Sequence, residues 1–136
     1  MTAGYSGTPQ ARKLGLRPGQ RVCLDRPPDG WQLADPPPGL EHVAGAEPAD
    51  VILSFFGAAR ELPGRLPGLV QRIYPGGALW IAWPRRAGGH HSDITENIIR
   101  EQALPLGVVD VKVAAIDGDW SGLRLVWRVA NRQSRS

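Results

Sequence analysis

The sequence predicts an α/β fold: a mostly parallel sheet flanked by helices and finished by an antiparallel C-terminal hairpin. Three observations point there. Val51-Ile52-Leu53-Ser54-Phe55-Phe56 and Ala78-Leu79-Trp80-Ile81-Ala82-Trp83 are nearly continuous apolar runs, the pattern of strands covered on both faces. Helical signals separate and follow these runs, and such alternation argues a parallel sheet with helices on both sides. The last third then changes period. Val109, Val111, Val113 and Ala115 alternate with Asp110, Lys112 and Ala114, and Leu123, Leu125, Trp127 and Val129 alternate with Arg124, Val126 and Arg128. Joined by the turn-forming Asp117-Gly118-Asp119-Trp120-Ser121-Gly122, these segments read as a hairpin on the sheet's edge.

Taken in order, residues 1–10 hold Gly4, Gly7 and Pro9 without apolar periodicity and read as an extended arm. Thr8 to Gly15 reads as one short helix, with threonine as cap, proline at the first helical position and glycine at the end. After the turn Arg17-Pro18-Gly19-Gln20, Arg21 to Asp25 is a short buried strand. Arg26 to Pro48 is the least regular stretch, because Pro27-Pro28-Asp29-Gly30 and Pro36-Pro37-Pro38-Gly39 exclude a helix or central strand. One brief strand, Leu40 to Ala44, fits inside it.

The strand led by Asp50 comes next. A helix is expected from about Ala58, interrupted at Pro63-Gly64, restarting near Leu66 and stopped by Pro75-Gly76-Gly77. Beyond the second apolar strand, Ser92 or Asp93 can cap a helix carrying Ile94, Ile98, Ile99 and Ala103 at helical spacing. Pro105 and Gly107 close it. Residues 131–136 read as a frayed basic tail.

Composition narrows the classes. A chain of 136 residues is one domain's worth, and 42% hydrophobic with 21% charged residues excludes wholesale disorder. The net charge of +3 is small and scattered, so charge alone does not announce a nucleic-acid binder. The single cysteine, Cys23, excludes a disulfide framework and a Cys-rich zinc site. No apolar run reaches the length of about 18 residues that a membrane span needs. Met1-Thr2-Ala3-Gly4-Tyr5 lacks the basic-then-apolar plan of a secretory signal, so a cytoplasmic domain is expected.

Ala49-Asp50-Val51-Ile52-Leu53-Ser54-Phe55, a helix, then Tyr74-Pro75-Gly76-Gly77-Ala78-Leu79-Trp80-Ile81 resembles the latter half of a class I methyltransferase. There an Asp-led strand, a helix, a Pro-Gly-Gly turn and a central strand follow in this order, with a closing hairpin. The resemblance implies a Rossmann-like sheet and, if complete, an S-adenosylmethionine site. A second set of motifs spans nearly the whole chain: Gly4-Tyr5-Ser6-Gly7-Thr8-Pro9, Lys13-Leu14-Gly15, Ala82-Trp83-Pro84, Asp93-Ile94-Thr95-Glu96 and Trp120-Ser121-Gly122-Leu123-Arg124. These are similar to bacterial domain-of-unknown-function family 3052, a resemblance that implies the fold and little chemistry.

The cofactor reading meets an obstacle in the sequence. The first strand runs into Arg26-Pro27-Pro28-Asp29-Gly30, where the methyltransferase fold needs a glycine-rich turn. Two prolines remove two N–H donors and only Gly30 offers permissive geometry. Glu41 is the nearest candidate to hold a ribose, and the segment before Asp50 is too short for the usual two extra helices.

Other chemistries have weaker footing. His90 and His91 near Asp93 suggest a metal, but adjacent histidines diverge and His42 is the only other one, so a solvated loop explains them. Cys23, inside an apolar strand, reads as a buried structural thiol. Ser54 and Ser121 lack the G-x-S-x-G pattern. Asp117 and Asp119 serve the turn around Gly118, as Ser121 does. Most of the five tryptophans fit the core, Trp80 and Trp127 especially.

The function read from the sequence is a non-catalytic binding module for a protein partner or a small anionic ligand, with no cofactor and no metal expected. The alternatives are a minimal or degenerate S-adenosylmethionine-dependent methyltransferase and a weak nucleic-acid binder. Candidate binding residues are Trp83, Arg85 and Asp93 at the carboxyl ends of the central strands, and Trp120, Ser121 and Arg124 at the hairpin turn. Arg85 and Arg124 would pair with an anion, Trp83 and Trp120 would give flat apolar contact, and Asp93 would cap its helix. Lys112, Arg124, Arg128 and Asp110 are expected together on the hairpin's polar face, either solvated or meeting a partner. A homodimer is compatible with so short a chain and a two-faced hairpin.

Overall fold

In the computed structural model, which describes residues 9–132, six strands form one sheet in the order β2-β1-β3-β4-β6-β5. The strands are β1 (Arg21–Asp25), β2 (Glu41–His42), β3 (Val51–Phe55), β4 (Ala78–Pro84), β5 (Val108–Ala115) and β6 (Trp120–Trp127). β2, β1, β3 and β4 run parallel, and β6 and β5 are antiparallel additions to β4. The predicted fold class holds, and no described helix is long and apolar enough to cross a membrane. Residues of the expected N-terminal arm before Pro9, including the capping Thr8, and positions 133–136 of the expected tail lie outside the described residues.

Two layers of side chains explain why the strands read as continuous apolar runs. Ile52, Leu79, Ile81, Leu123 and Leu125 pack on one face under α2 (Leu62–Arg72) and α3 (Glu96–Ala103). Leu53, Phe55 and Trp80 pack on the other face against Leu14 of α1 (Gln10–Leu14). Trp80 is fully buried and its indole Nε1 donates to the Leu14 carbonyl at 3.0 Å. Trp127 likewise donates to the Val70 carbonyl at 2.8 Å. Both rings therefore bury their area with their one polar group satisfied.

Several local expectations need correction. α2 is one helix, not two pieces: Pro63 sits in its first turn, where no N–H is needed, and Pro67 lies inside it on the exposed side. The carbonyl left without a donor by Pro67 belongs to exposed Pro63, where water can serve it. Thr95, rather than Ser92 or Asp93, caps α3, its hydroxyl accepting from the Ile98 N–H at 3.2 Å. Asp93 instead accepts from the Ala59 N–H at 2.8 Å, tying the start of the 3-10 turn before α2 to the opposite loop.

The hairpin turn is shorter than expected, since Trp120, Ser121 and Gly122 already belong to β6. Gly122 is required there, because a Cβ at this position would lie 2.5 Å from Ile116 Cδ1 and 2.9 Å from Trp80 Cε3. In β5 the register shifts between Asp110 and Lys112, leaving Val111 unopposed. This bulge breaks the simple alternation. Lys112 pairs with Arg124 and Asp110 with Leu125, so Asp110 lies on the α3 face and Lys112 on the α1 face. The expected common polar face of Asp110, Lys112 and Arg124 is thus split in two.

Candidate functional site

Strand order reverses between β1 and β3, and in open α/β sheets such a switch point opens a crevice at the carboxyl ends of the strands. In this chain its own side chains occupy that crevice. On the α2 face, Asp25 at the end of β1 accepts from the Ser54 hydroxyl at 2.5 Å and from Arg65 Nη2 at 2.7 Å. Arg65, one turn into α2, also donates to the Phe55 carbonyl and to Glu61, each at 3.0 Å. Its guanidinium lies 3.8 Å from the Phe56 ring centroid, a favourable cation–π placement. Burial pushes the Asp25 carboxyl up, but the hydrogen bonds from Ser54 and Arg65 and the charges of Arg65 and Arg26 outweigh it. The net effect holds Asp25 below the usual carboxylate range.

On the α1 face the loop after β1 folds back over the strand ends. Trp31 meets Phe55 edge-on with centroids 5.0 Å apart, and Phe55 meets Trp120 at 5.0 Å. Trp31 Nε1 donates to Asp117 Oδ2 at 2.9 Å, fastening this loop to the hairpin turn. Asp117 Oδ1 accepts from the N–H groups of Asp119 and Trp120, the turn role expected of it.

With Asp25 and Arg65 forming part of its wall, a cleft of about 430 Å³ opens between α2 and the loop joining β2 to β3, a volume suited to a small molecule. Arg65, Gly68 and Arg72 fall on one side of α2 because they recur at helical spacing, and Arg26 stands at the β1 end. Gly68 and Gly45 leave open space where side chains would reach in. Arg72 Nε donates to the Glu47 carbonyl at 2.8 Å, while its Nη2 is buried without a hydrogen-bond partner. Arg26 adopts φ 53°, the left-handed region, which a non-glycine residue enters at a cost. Neither Arg26 nor Arg72 stands out in the sequence. The proline pair after Arg26 and the helical spacing of Arg65 and Arg72 are the available signals.

The residues expected at the site are dispersed. Trp83 is buried under the α2 and α3 layer and pairs across the ladder with Ser121. Asp93 serves the 3-10 turn before α2, as described. Arg85 follows β4, its N–H donating to the Asp119 carbonyl at 2.8 Å. Trp120 does reach the carboxyl ends and lines a smaller cavity of about 250 Å³ with Pro84, His90 and Asp119. Arg124 and Lys112 sit elsewhere, beneath α1.

His90 Nε2 lies 3.0 Å from Asp119 Oδ1. Among the described residues no three His, Cys, Asp or Glu side chains converge on a metal position. Cys23 is buried in β1, as expected of a structural thiol.

S-adenosylmethionine would need open strand ends and a turn rich in N–H donors after β1. Trp31 covers the strand ends, and that turn starts with a left-handed Arg26 and two prolines. Glu41 pairs in register with Arg21 at the amino end of β1 and lies 3.6 Å from its guanidinium. It is therefore at the wrong end of the sheet to hold a ribose. The residues present do not fit the cofactor.

No family model and no curated protein sequence matches the chain. Solved structures do match it in fold. A variant of LepI, determined with SAH and a substrate analogue, superposes with a TM-score of 0.53 at 13% identity, over 87% of this chain and 39% of that one. A structure described as a possible exported protein from Bordetella parapertussis superposes with a TM-score of 0.52 at 17% identity, over 85% of this chain and 65% of that one. The chain thus spans less than two thirds of either neighbour. Together with the strand order, these likenesses give the chain a distant methyltransferase-like fold.

Proposed function

We propose that this chain is a binding module of methyltransferase-like architecture that holds a small anionic molecule in the cleft beside Arg26 and Arg72, without chemistry of its own. One observation carries the reading: the crevice at the switch point is filled from both faces, by Asp25, Ser54 and Arg65 and by Trp31, Phe55 and Trp120. The neighbouring cleft, by contrast, keeps open space and an incompletely bonded guanidinium. A concave site of this size suits a small ligand better than a protein surface. The likeness to a bacterial domain-of-unknown-function family, carried by motifs such as Trp120-Ser121-Gly122, belongs to the same reading, as does a cytoplasmic setting.

The second reading is a minimal S-adenosylmethionine-dependent methyltransferase, favoured by the fold shared with LepI, whose structure holds SAH. Calorimetric titration with S-adenosylmethionine separates the two. No saturable heat at millimolar cofactor is expected, and micromolar binding would overturn the proposal. A thermal-shift screen of small metabolites tests the positive half. Anionic compounds should be prominent among the hits, and some of them should lose their effect in Arg72→Gln; a screen with no anionic hit sensitive to Arg72→Gln sinks the idea.

A further inference from the structure

A second cationic group lies on the opposite face of the sheet from the cleft and is independent of it. Lys112 and Arg124 are direct partners in the β5–β6 ladder, an arrangement in which like charges repel. The end of α1 sits over them. Lys112 Nζ donates to the Lys13 carbonyl at 3.2 Å, and a Cβ on Gly15 would lie 4.0 Å from Arg124 Nη2. Lys13 is itself buried and donates to the Ala115 carbonyl at 2.8 Å. Arg124 Nε is buried with no hydrogen-bond partner. Burial, then the charge of Arg17, pushes the Arg124 guanidinium below its usual range; burial, then Lys112 and Arg85, does the same to the Lys13 ammonium.

Among the described residues, no ion pair includes Arg17, Lys112 or Arg124. The nearest carboxylate along the strand, Asp110, is carried to the other face by the bulge and bonds Arg100 at 2.8 Å. The carbonyl end of α1 attracts cations, but its Lys13 and Leu14 carbonyls already serve Lys112 and Trp80. That accounts for Lys112 and leaves the buried Nε of Arg124 unexplained.

We propose that the face formed by α1 and the β5–β6 hairpin binds a compact phosphate-type oxyanion, a phosphate monoester or pyrophosphate, through Arg17, Lys112 and Arg124. Lys112 and Arg124 face each other across the ladder beneath the end of α1, and the charge of Arg17, just after α1, reaches Arg124; so compact a grouping suits a single multivalent anion better than an extended strand. Guanidinium groups favour such oxygens because their N–H donors match the geometry.

The test is a pyrophosphate titration at constant ionic strength, followed by NMR amide shifts, on the wild type, Lys112→Glu and the cleft variant Arg72→Gln. Wild type and Arg72→Gln should saturate alike, and Lys112→Glu should weaken binding by at least about tenfold. Without pyrophosphate, Lys112→Glu should melt a few degrees higher than wild type, because it opposes Arg124 with the opposite charge. That readout also shows that the variant folds. Absence of saturable binding in the wild type, or full binding by Lys112→Glu, overturns the proposal. An oligothymidylate that binds more tightly than pyrophosphate, with affinity falling steeply in salt, overturns it in favour of a nucleic-acid strand.

Discussion

Arg65 and Arg124 are both withdrawn from water against the sheet, on opposite faces, and their surroundings differ completely. The Arg65 side chain is 13% exposed, yet its guanidinium has Asp25, Ser54, Glu61 and the Phe55 carbonyl as acceptors and Phe56 beneath it. Arg124 has Lys112 across the ladder, Arg17 nearby and an Nε without an acceptor. A satisfied buried cation acts as an internal brace. One surrounded by like charge is a standing cost to the free fold, offset when an anion arrives.

Three stability measurements would break or sharpen this contrast. The largest effect is expected at Arg65. Arg65→Met leaves Asp25, a quarter exposed, without its ion-pair partner, and should cost about 2–3 kcal/mol in urea unfolding, somewhat less than for a fully buried pair. A cost under about 0.5 kcal/mol, within ordinary surface effects, would mean the brace is ornamental.

Acid should act next. The Asp25 carboxyl is held low in the folded state, so its stabilisation is complete above the unfolded value of about 3.9 and is lost as pH falls through the folded value. Asp25→Asn should therefore lose less stability than wild type between pH 7 and pH 3. Equal losses would contradict the assignment. The smallest effect is expected at Arg124, where Arg124→Met in phosphate-free buffer should be neutral or stabilising by up to about 1 kcal/mol. A clear destabilisation would show that the guanidinium has a partner after all.

Much of the architecture is legible in the residues because burial on two faces writes itself as apolar runs. Val51–Phe55 and Ala78–Trp83 could hardly be anything but central strands, and the change of period after Val108 marks the hairpin. Less legible are features decided by which way a side chain turns. Pro63 and Pro67 look like helix breakers, and only their shared exposed side lets α2 run through them. Ser92, Asp93 and Thr95 all have capping chemistry, and tertiary contact with Ala59 draws Asp93 away from the helix. The site is the hardest part. Arg26, Arg65 and Arg72 are far apart in sequence or ordinary for a helix surface, and they gather only because α2 packs beside β1. Trp83, by contrast, has the sequence position of a contact surface and is structural core.

The unopposed Val111 matters beyond its own strand. Because it is left unpaired, Asp110 and Lys112, which would share a face in a regular strand, point to opposite faces, and Asp110 turns away from Arg124. A regular ladder with Val111 paired opposite Leu125 would instead bring the carboxylate round to the arginine-bearing side and cancel charge there internally. The bulge thus works as an electrical partition: it reserves one aspartate for α3 and leaves the other surface of the sheet with its positive potential intact.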